Sequence, residues 1–274
     1  MDAFYTVLIS LLFISIGYCY GSILFGAIFA KIIKKNIREM GSGSIGGTNV
    51  SRTLGPGWGA ATMILDATKT YLSVVTCWAI YIFTINKWYP ENHALYSLIY
   101  LGGVASVFAH CFPIQYFSSL FFNHFDKKQA KNKTGGKGMA CTGGLFFSIS
   151  PWLGLSIFAI WLVTFLITHY ISVGSITCSV LACPLVFIKE IDLLYMFDNG
   201  IFNNTHNFIA IAPYSEHIWL FVSLFILLLS CAILIVIRHK DNIKRLRNGV
   251  ESYLPFTKKQ AEKHAKKSKY FFFN

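Results

Sequence analysis

Charged side chains are scarce in this sequence. Only 13% of its 274 residues are Asp, Glu, Lys or Arg, whereas 54% are hydrophobic. Soluble globular chains carry about 25% charged residues. The composition therefore excludes an ordinary water-soluble domain and indicates a membrane protein.

Paired cysteines are lacking as well. Seven cysteines are dispersed through apolar stretches, with no CxxC pair and no histidine cluster beside them. Zinc sites and disulfide frameworks need closely spaced ligands or a regular, even set of cysteines. We therefore find no sign of disulfides or zinc. The absence of a carboxylate cluster likewise predicts no metal site.

Long uncharged stretches are what the sequence has instead. A helix that crosses about 30 Å of hydrocarbon needs roughly 20 apolar residues. Stretches without any charge cover residues 3–30, 92–125, 138–188 and 217–237, and a further one, 53–86, is interrupted only by Asp66 and Lys69. Each is long enough to cross at least once, which predicts an all-α integral membrane protein.

The positive charges fall into three clusters, at residues 31–52, 127–137 and 238–269. The positive-inside rule assigns all three to the cytoplasm, so an even number of crossings must separate them. Pro151 and the polar run 169–175 divide the longest uncharged stretch into three pieces. We predict seven transmembrane helices, with the N-terminus outside and the C-terminus in the cytoplasm.

The fourth of these helices is short. Residues 138–150 cannot span the hydrocarbon as a helix, so the helix must start below the membrane surface. Backbone without helical hydrogen bonds survives at that depth only beside protein or a wetted cavity. The glycines that precede this helix are therefore predicted to line a cavity.

The first cytoplasmic loop is rich in glycine and hydroxyl groups. It reads Gly41-Ser-Gly-Ser-Ile-Gly-Gly-Thr-Asn-Val50, with Arg38 before it and Arg52 after it. Backbone N–H groups can converge on an anion in such a loop, and the hydroxyls and the start of the next helix add donors. Its glycine spacing also fits a dinucleotide fingerprint, but a membrane helix precedes it rather than a strand. A phosphate site and a plain glycine-rich turn are the two interpretations.

A second glycine cluster, Gly135-Gly-Lys-Gly138, closes the second basic loop and opens the short helix. Lys137 lies among residues whose amides can approach an anion closely, on the same side of the membrane as the first loop. No Lys-Ser or Lys-Thr follows Gly46 or Gly136, so neither is part of a Walker A element. Two anion-binding patterns at one face favour a phosphate site over coincidence.

Other polar residues accompany the membrane helices. Asp66 and Lys69 are three positions apart on one helix face, which predicts a structural or site-organising ion pair. Ser22 is interpreted as polarity at a helix contact. Beyond the last span the helix is predicted to continue, with His239 and Asn242 on one face that can reach a polar substrate.

Taken in order, these motifs resemble one family. They are Tyr20-Gly-Ser-Ile-Leu-Phe-Gly26, residues 37–55 around the first loop, Leu65-Asp-Ala-Thr-Lys69, Ala109-His-Cys-Phe-Pro113, Gly135-Gly-Lys-Gly138 and Arg238-His-Lys-Asp-Asn-Ile-Lys-Arg-Leu246. The resemblance is to the bacterial acyl-phosphate:glycerol-3-phosphate acyltransferases, and it runs from about Gly21 to Glu251.

The resemblance implies transfer of a fatty acyl group from acyl phosphate to the 1-hydroxyl of glycerol 3-phosphate, which gives lysophosphatidic acid and phosphate. This is the first step of phospholipid synthesis. It implies no cofactor and no nucleic acid, and it names membrane lipid and an acyl-phosphate-producing enzyme as partners. The expected place is the bacterial inner membrane, with the active site on the cytoplasmic face.

The motifs and the resemblance together give three groups of candidate site residues. The catalytic group is Ser42, Arg52, Lys137, His239 and Asn242. The substrate-binding group is Arg38, Gly41, Gly43, Gly46, Gly47, Thr48, Asn49, Gly135, Gly136, Gly138, Ser172 and Ser175. The structural or site-organising group is Ser22, Asp66, Lys69 and His110.

Acyl phosphate is already activated, so positioning and charge stabilisation can supply most of the catalysis. His239 would orient the glycerol hydroxyl, and either it or a phosphate oxygen would take the proton. The His-x4-Asp motif of acyl-CoA-dependent acyltransferases is absent at every histidine. Direct transfer without that dyad is expected.

The chain departs from the family pattern at Ser44, Leu24 and Gly174, and in a longer connection over residues 116–134. We expect a membrane acyltransferase domain over 1–254, with 116–134 as a cytoplasmic insertion, and a basic cytoplasmic tail over 255–274. Two alternatives stay open: a transporter of organic phosphates, and a scaffold protein without activity. A transporter often has two related halves, and the sequence contains no such repeat.

Overall fold

The computed structural model describes residues 3–85, 87, 96–122, 133–186 and 218–254 of the chain, and in them all regular structure is helical. The helices are α1 (Ala3–Gly21), α2 (Phe25–Ile32), α3 (Gly47–Leu54), α4 (Pro56–Ile80), α5 (Tyr96–Cys111), α6 (Ile114–Phe122), α7 (Met139–Ile149), α8 (Pro151–Thr168), α9 (Ile171–Leu185), α10 (Ile218–Arg238) and α11 (Lys240–Arg247). A 3₁₀ turn lies at Ile37–Glu39, and α4 ends in a π turn, Tyr81–Ile85.

Three helical stretches are long and apolar enough to cross a membrane: Phe4–Ile32, Pro56–Ile85 and Pro151–Thr168. Two bent pairs, α5 with α6 and α10 with α11, would raise the number to five. Two shorter apolar helices, α7 and α9, accompany them. The chain is therefore an all-helical, multi-pass membrane protein in the part that the structure describes.

The expected division of residues 138–188 into three helices is confirmed. Helix α7 has 11 residues, and Pro151 occupies the first turn of α8, where its missing N–H leaves no hydrogen bond unmade. His169 then ends α8 in a left-handed conformation with a φ of 61°. The proline and the polar turn thus act as the boundaries that the sequence indicated.

Two helices that the sequence predicts as continuous are interrupted. The first uncharged stretch breaks after Gly21, so α1 and α2 are separate helices. The predicted extension of the last span is wrong, since α11 starts at Lys240 and is bent by 54° from α10. The bend directs the polar face of α11 towards the interior, where Asn242 is buried.

The helices approach each other closely at small residues. A Cβ on Gly17 of α1 would lie 1.8 Å from the carbonyl oxygen of Gly102 on α5, and one on Gly144 of α7 would lie 2.0 Å from that of Ala67 on α4. Without a hydrophobic force between helices in lipid, such close backbone packing is a main source of association. It brings α4, α5 and α7 together beneath the two glycine loops.

Candidate functional site

One cavity of about 440 Å³ lies where the glycine loops, α4, α7, α8, α9 and α11 meet. Its polar end contains the predicted site residues Ser42, Gly46, Gly47, Thr48, Asn49, Arg52, Asp66, His110, Lys137, Gly138, Ser172, Ser175, His239 and Asn242. Apolar side chains also form part of the lining. The remaining predicted residues, Arg38, Gly41, Gly43, Gly135, Gly136, Lys69 and Ser22, lie outside the lining.

The first glycine loop is held by the side chain of Asn49 from the helix that follows it. The Asn49 Oδ1 atom accepts from the Ser42 backbone N–H at 2.9 Å, and Nδ2 donates to the carbonyls of Met40 (3.1 Å) and Ser44 (2.8 Å). Asn49 is 2% exposed. This amide therefore fixes the turn while the loop presents its other groups to the cavity.

Glycine is required where that loop turns. Gly41 and Gly43 have φ values of 58° and 68°, in the left-handed region that side chains rarely adopt. The departure at Ser44 has a local role, because its hydroxyl accepts a hydrogen bond from the Gly46 N–H at 3.3 Å. Gly46 then caps α3, whose first amides and Thr48 line the cavity.

The second glycine loop is held by residues distant in sequence. The Gly135 N–H donates to the carbonyl of Cys111 at 2.9 Å. The Arg238 guanidinium donates to the carbonyls of Gly135 and Gly136, both at 3.0 Å. These hydrogen bonds hold the start of the loop, and the two residues that follow, Lys137 and Gly138, line the cavity.

The two loops touch each other. A Cβ on Gly46 would lie 3.9 Å from the Cα of Gly136. Arg38 also joins them, since its Nη1 donates to the carbonyl of Thr134 at 2.8 Å. Burial lowers the pKa of Arg38. Arg38 thus connects the loops and does not line the cavity.

Lys137 and Arg52 supply positive charge to the polar end. The Lys137 ammonium donates to Oδ1 of Asn242 at 2.6 Å. Burial lowers the pKa of Lys137 to about 8, and the carboxylate of Glu251 acts in the opposite direction. Arg52 is exposed and projects from the last turn of α3. A bound anion at this end would meet two cations.

Glu251 is a polar residue of this site that sequence reasoning missed, as is Arg245. Glu251 is 6% exposed and lines the cavity. Its carboxylate accepts from Ser172 Oγ at 3.0 Å, Asn242 Nδ2 at 2.7 Å and Arg245 Nε at 2.7 Å. The only signal in the sequence was its position at the end of the family resemblance. It joins the start of α9 to α11.

His239 is a neutral ring with a defined tautomer. Its Nδ1 lies 2.8 Å from the carbonyl of Ile235, and because a carbonyl only accepts, Nδ1 carries the proton. Burial, and secondarily the charge of Lys137, lower the pKa of His239 to about 4. Its Nε2 therefore has a free lone pair, and the residue lines the cavity.

Asp66, Lys69 and His110 form a buried polar group, of which Asp66 and His110 line the cavity. The Lys69 ammonium contacts Asp66 Oδ1 at 2.9 Å and His110 Nδ1 at 3.0 Å, and it donates to the carbonyls of Gly21 and Ile23. It thereby binds the carbonyls freed by the break between α1 and α2. The hydroxyl of Ser22 accepts from the Ile114 N–H at 3.3 Å.

Cys141 lies beside this group, and possible ligand atoms of Asp66, His110 and Cys141 fall within 4.8 Å of one another. The ammonium of Lys69 already provides the cation that faces Asp66 and His110. An ammonium among the ligands does not fit a metal ion, which needs those lone pairs for itself.

The apolar end of the cavity is aromatic. Its lining includes Phe147, Ile157, Phe158 and Trp161. The Trp161 ring stacks on that of Phe158 with centroids 6.0 Å apart. This surface suits a hydrocarbon chain next to the charged end. Most of the insertion (residues 123–132) and the whole tail (255–274) lie outside the described residues.

Comparison with known proteins finds relatives along most of the chain. The family model described as glycerol-3-phosphate acyltransferase matches residues 11–249. The glycerol-3-phosphate acyltransferase of Malacoplasma penetrans (strain HF-2) is 38% identical over 255 residues, which cover 89% of this chain and 93% of that protein. The enzyme of the same name from Aquifex aeolicus (strain VF5) is 31% identical, covering 88% and 97%.

A solved structure is similar along nearly the whole chain. It is the crystal structure of PlsY (YgiH), an integral membrane glycerol 3-phosphate acyltransferase, in its glycerol 3-phosphate form. The two structures share a TM-score of 0.63 and 28% identity, covering 90% of this chain and 96% of the other. A second structure of PlsY, in its lysophosphatidic acid form, has a TM-score of 0.62.

Proposed function

Because this chain belongs to the glycerol-3-phosphate acyltransferase family, we propose that the cavity between its two glycine loops is the site of acyl transfer. The protein transfers an acyl group to glycerol 3-phosphate and yields lysophosphatidic acid. The observation that supports this site is that Arg52 and Lys137 line the same cavity as several aromatic side chains. An amphiphilic substrate with a phosphate and a chain has that distribution of charge.

The acyl donor is acyl phosphate. Its phosphate is an anion next to the reacting carbonyl, so the cations that bind it also stabilise it as a leaving group. The loop amides around Ser42 and Thr48 contribute further donors. The chain of the acyl group lies along Phe147, Phe158 and Trp161.

In the reaction, the 1-hydroxyl oxygen of glycerol 3-phosphate attacks the acyl carbonyl carbon, and the bond from that carbon to the phosphate oxygen breaks. The Nε2 lone pair of His239 accepts a hydrogen bond from the hydroxyl and orients it. A ring with a pKa of about 4 is a weak base at neutral pH. A phosphate oxygen, with a second pKa of about 6, takes the proton.

Asn242, Ser172 and Ser175 position these groups. The Asn242 side chain accepts a hydrogen bond from Lys137 and donates one to Glu251, so it connects the ammonium to the carboxylate. Ser172 and Ser175 line the cavity at the start of α9, and Ser172 is held by Glu251. The glycines of both loops allow the backbone to come close to phosphate oxygens.

The chain crosses the membrane seven times, with the N-terminus outside and the active site on the cytoplasmic side of the inner membrane. The three long helical stretches and the two bent pairs supply five crossings, and the short helices α7 and α9 supply the other two. The membrane domain extends over residues 1–254, with 116–134 as a cytoplasmic insertion and 255–274 as a basic tail. An enzyme that makes acyl phosphate is a natural partner at this face.

The test is direct. Purified protein is incubated with acyl phosphate and glycerol 3-phosphate, and release of phosphate and of lysophosphatidic acid is followed together. We expect both products in equal amounts. Activity with acyl-CoA but none with acyl phosphate would overturn the donor assignment. Absence of turnover with either donor would favour the inactive scaffold, while the comparisons give no support to a transporter.

A further inference from the structure

Helix α7 borders the cavity with one of its faces. Lys137, which lines the same cavity, lies two residues before this helix begins. The lining residues of α7 fall around one position at spacings of three or four, which places them on one side of the helix. They are Met139, Ala140, Gly143, Phe146 and Phe147. This face therefore leads from the lysine to the aromatic part of the lining.

Gly143 lies in the middle of that face, and its missing side chain leaves open space. A Cβ at this position would meet no atom of the described residues within 4 Å outside its own part of the helix. The next residue differs, because a Cβ on Gly144 would lie 2.0 Å from the carbonyl oxygen of Ala67 on α4. Helix packing thus requires glycine at position 144 and does not require it at position 143.

The backbone does not require glycine at position 143 either. Gly143 lies inside α7, and its φ is not positive, so any L residue can adopt its conformation. Glycine is a poorer helix former than alanine because it loses more backbone entropy on folding. What distinguishes this glycine is the gap that it leaves in the cavity wall.

The aromatic side chains next to this gap are packed against α8. A Cβ on Gly154 of α8 would lie 2.6 Å from two atoms of the Phe147 ring, so that ring lies directly against the helix backbone. Phe158 and Trp161 stack with their ring planes 21° apart. The gap at Gly143, one turn before Phe147, is therefore bordered by a packed aromatic surface that suits a hydrocarbon chain.

We propose that Gly143 determines which acyl groups the protein accepts, because the hydrocarbon chain of the acyl donor lies against α7 at this glycine. This inference rests on the proposed function of the cavity. Gly143 is four residues after the first residue of α7, which is about 6 Å along the helix axis. A long acyl group that starts beside Lys137 passes Gly143, whereas the shortest acyl groups end before it.

The test fills the gap and varies the acyl group. Gly143→Ala adds a methyl group and Gly143→Leu adds an isobutyl group, and kcat/KM is measured with a series of donors from butyryl to palmitoyl phosphate. For Gly143→Leu we expect a loss that grows with the length of the acyl group, to at least about 10-fold for palmitoyl phosphate, because the added side chain occupies the space of the hydrocarbon. Gly143→Ala should show the same trend with a smaller loss. The KM for glycerol 3-phosphate should stay unchanged, since the cations are untouched.

Gly57→Leu is the matched control. Gly57 is also a helical glycine, in α4, and a Cβ there would likewise meet no atom of the described residues within 4 Å, but it does not line the cavity. We expect this variant to use every donor as the unsubstituted protein does. Thermal unfolding checks that all three variants fold, and replacement of a helical glycine should not lower the unfolding temperature.

A loss for Gly143→Leu that is the same with every acyl phosphate would overturn the inference, since the added side chain would then disturb the whole site. Unchanged kcat/KM with all donors would also overturn it, because the hydrocarbon chain would then not contact Gly143. If Gly143→Leu does not fold, the dependence on acyl length in Gly143→Ala decides. Turnover of acyl phosphates by the unsubstituted protein is measured first, so a failure of the proposed function is recognised separately.

Discussion

The two glycine loops meet at one cavity, yet they are held in different ways. Asn49 fixes the first loop through three hydrogen bonds to groups at most nine residues away. Arg238 fixes the second loop through carbonyls 102 and 103 residues away. One loop is thus a local structure, and the other depends on the arrangement of whole helices. A glycine loop that borders this cavity can thus be held by local or by long-range hydrogen bonds.

The difference has a consequence for the site. The first loop offers mainly backbone amides and hydroxyls. Arg52 lies on α3, the helix that directly follows this loop. The second places a single lysine against Asn242, on the neighbouring helix α11. We therefore expect damage to the second loop to act on charge and its position, and damage to the first to act on loop order.

The largest effect is expected when the charge of the second loop is removed. Lys137→Ala should lower kcat/KM about 1000-fold, because the departing phosphate loses a positioned cation. The measurement is steady-state release of phosphate from acyl phosphate. Lys31→Ala removes an exposed lysine outside the cavity and should have no effect. Near-normal rates for Lys137→Ala would refute the proposal that Lys137 binds the phosphate.

Removal of the Asn49 hydrogen bonds that hold the first loop should have the next largest effect. Asn49→Ala leaves the Ser42 N–H and two carbonyls without their partner, so we expect kcat/KM to fall about 100-fold through misplacement of the first loop. Thermal unfolding should also occur at a lower temperature. The control Thr53→Ala removes one hydroxyl contact to the Asn49 carbonyl within α3. Equal behaviour of the two variants would mean that the loop does not need these hydrogen bonds.

A milder change tests the hydrogen bonds from Arg238 to the second loop. Arg238→Lys keeps the charge but cannot donate to two carbonyls with the planar fork of a guanidinium. We expect kcat/KM to fall about 10-fold, with the protein still folded. Arg247→Lys, at an exposed position of α11, provides the control and should retain full activity. A larger loss of kcat/KM for Arg238→Lys than for Asn49→Ala would contradict the expected order of these two effects.

The smallest effect concerns pH. Lys137 must carry its proton to bind phosphate, and its pKa is about 8, so activity should fall as pH rises through about 8. The Glu251 carboxylate raises this pKa. Glu251→Gln should therefore move the alkaline limb of the kcat/KM profile to lower pH, by about half a unit. A shift to higher pH would contradict the charge relation between the two residues.

Prediction from sequence succeeded where the signal was local. The helix boundaries at Pro151 and His169 followed from proline and a polar turn. Residues 41–49 and 135–138 could be selected because glycines, hydroxyls and cations stand next to one another. The continuous last helix was predicted wrongly, since no proline or glycine marks the bend at His239.

The residues that were missed share a different property. Glu251 was noted only as the end of the family resemblance, and Arg238 as part of a basic cluster and of a motif. Their contacts reach Ser172, Gly135 and Gly136, far along the chain. A charged residue that follows a span looks the same in sequence whether it faces water or a buried carbonyl.

The sequence by itself determined the membrane class, the helical segments, the two glycine loops and the family, because each depends on composition or on neighbouring residues. The tertiary structure alone decided that Arg238 holds the second loop and that Glu251 joins Asn242 to Ser172. These contacts arise from the close packing of helices, and packing brings together residues whose separation in sequence carries no periodic signal.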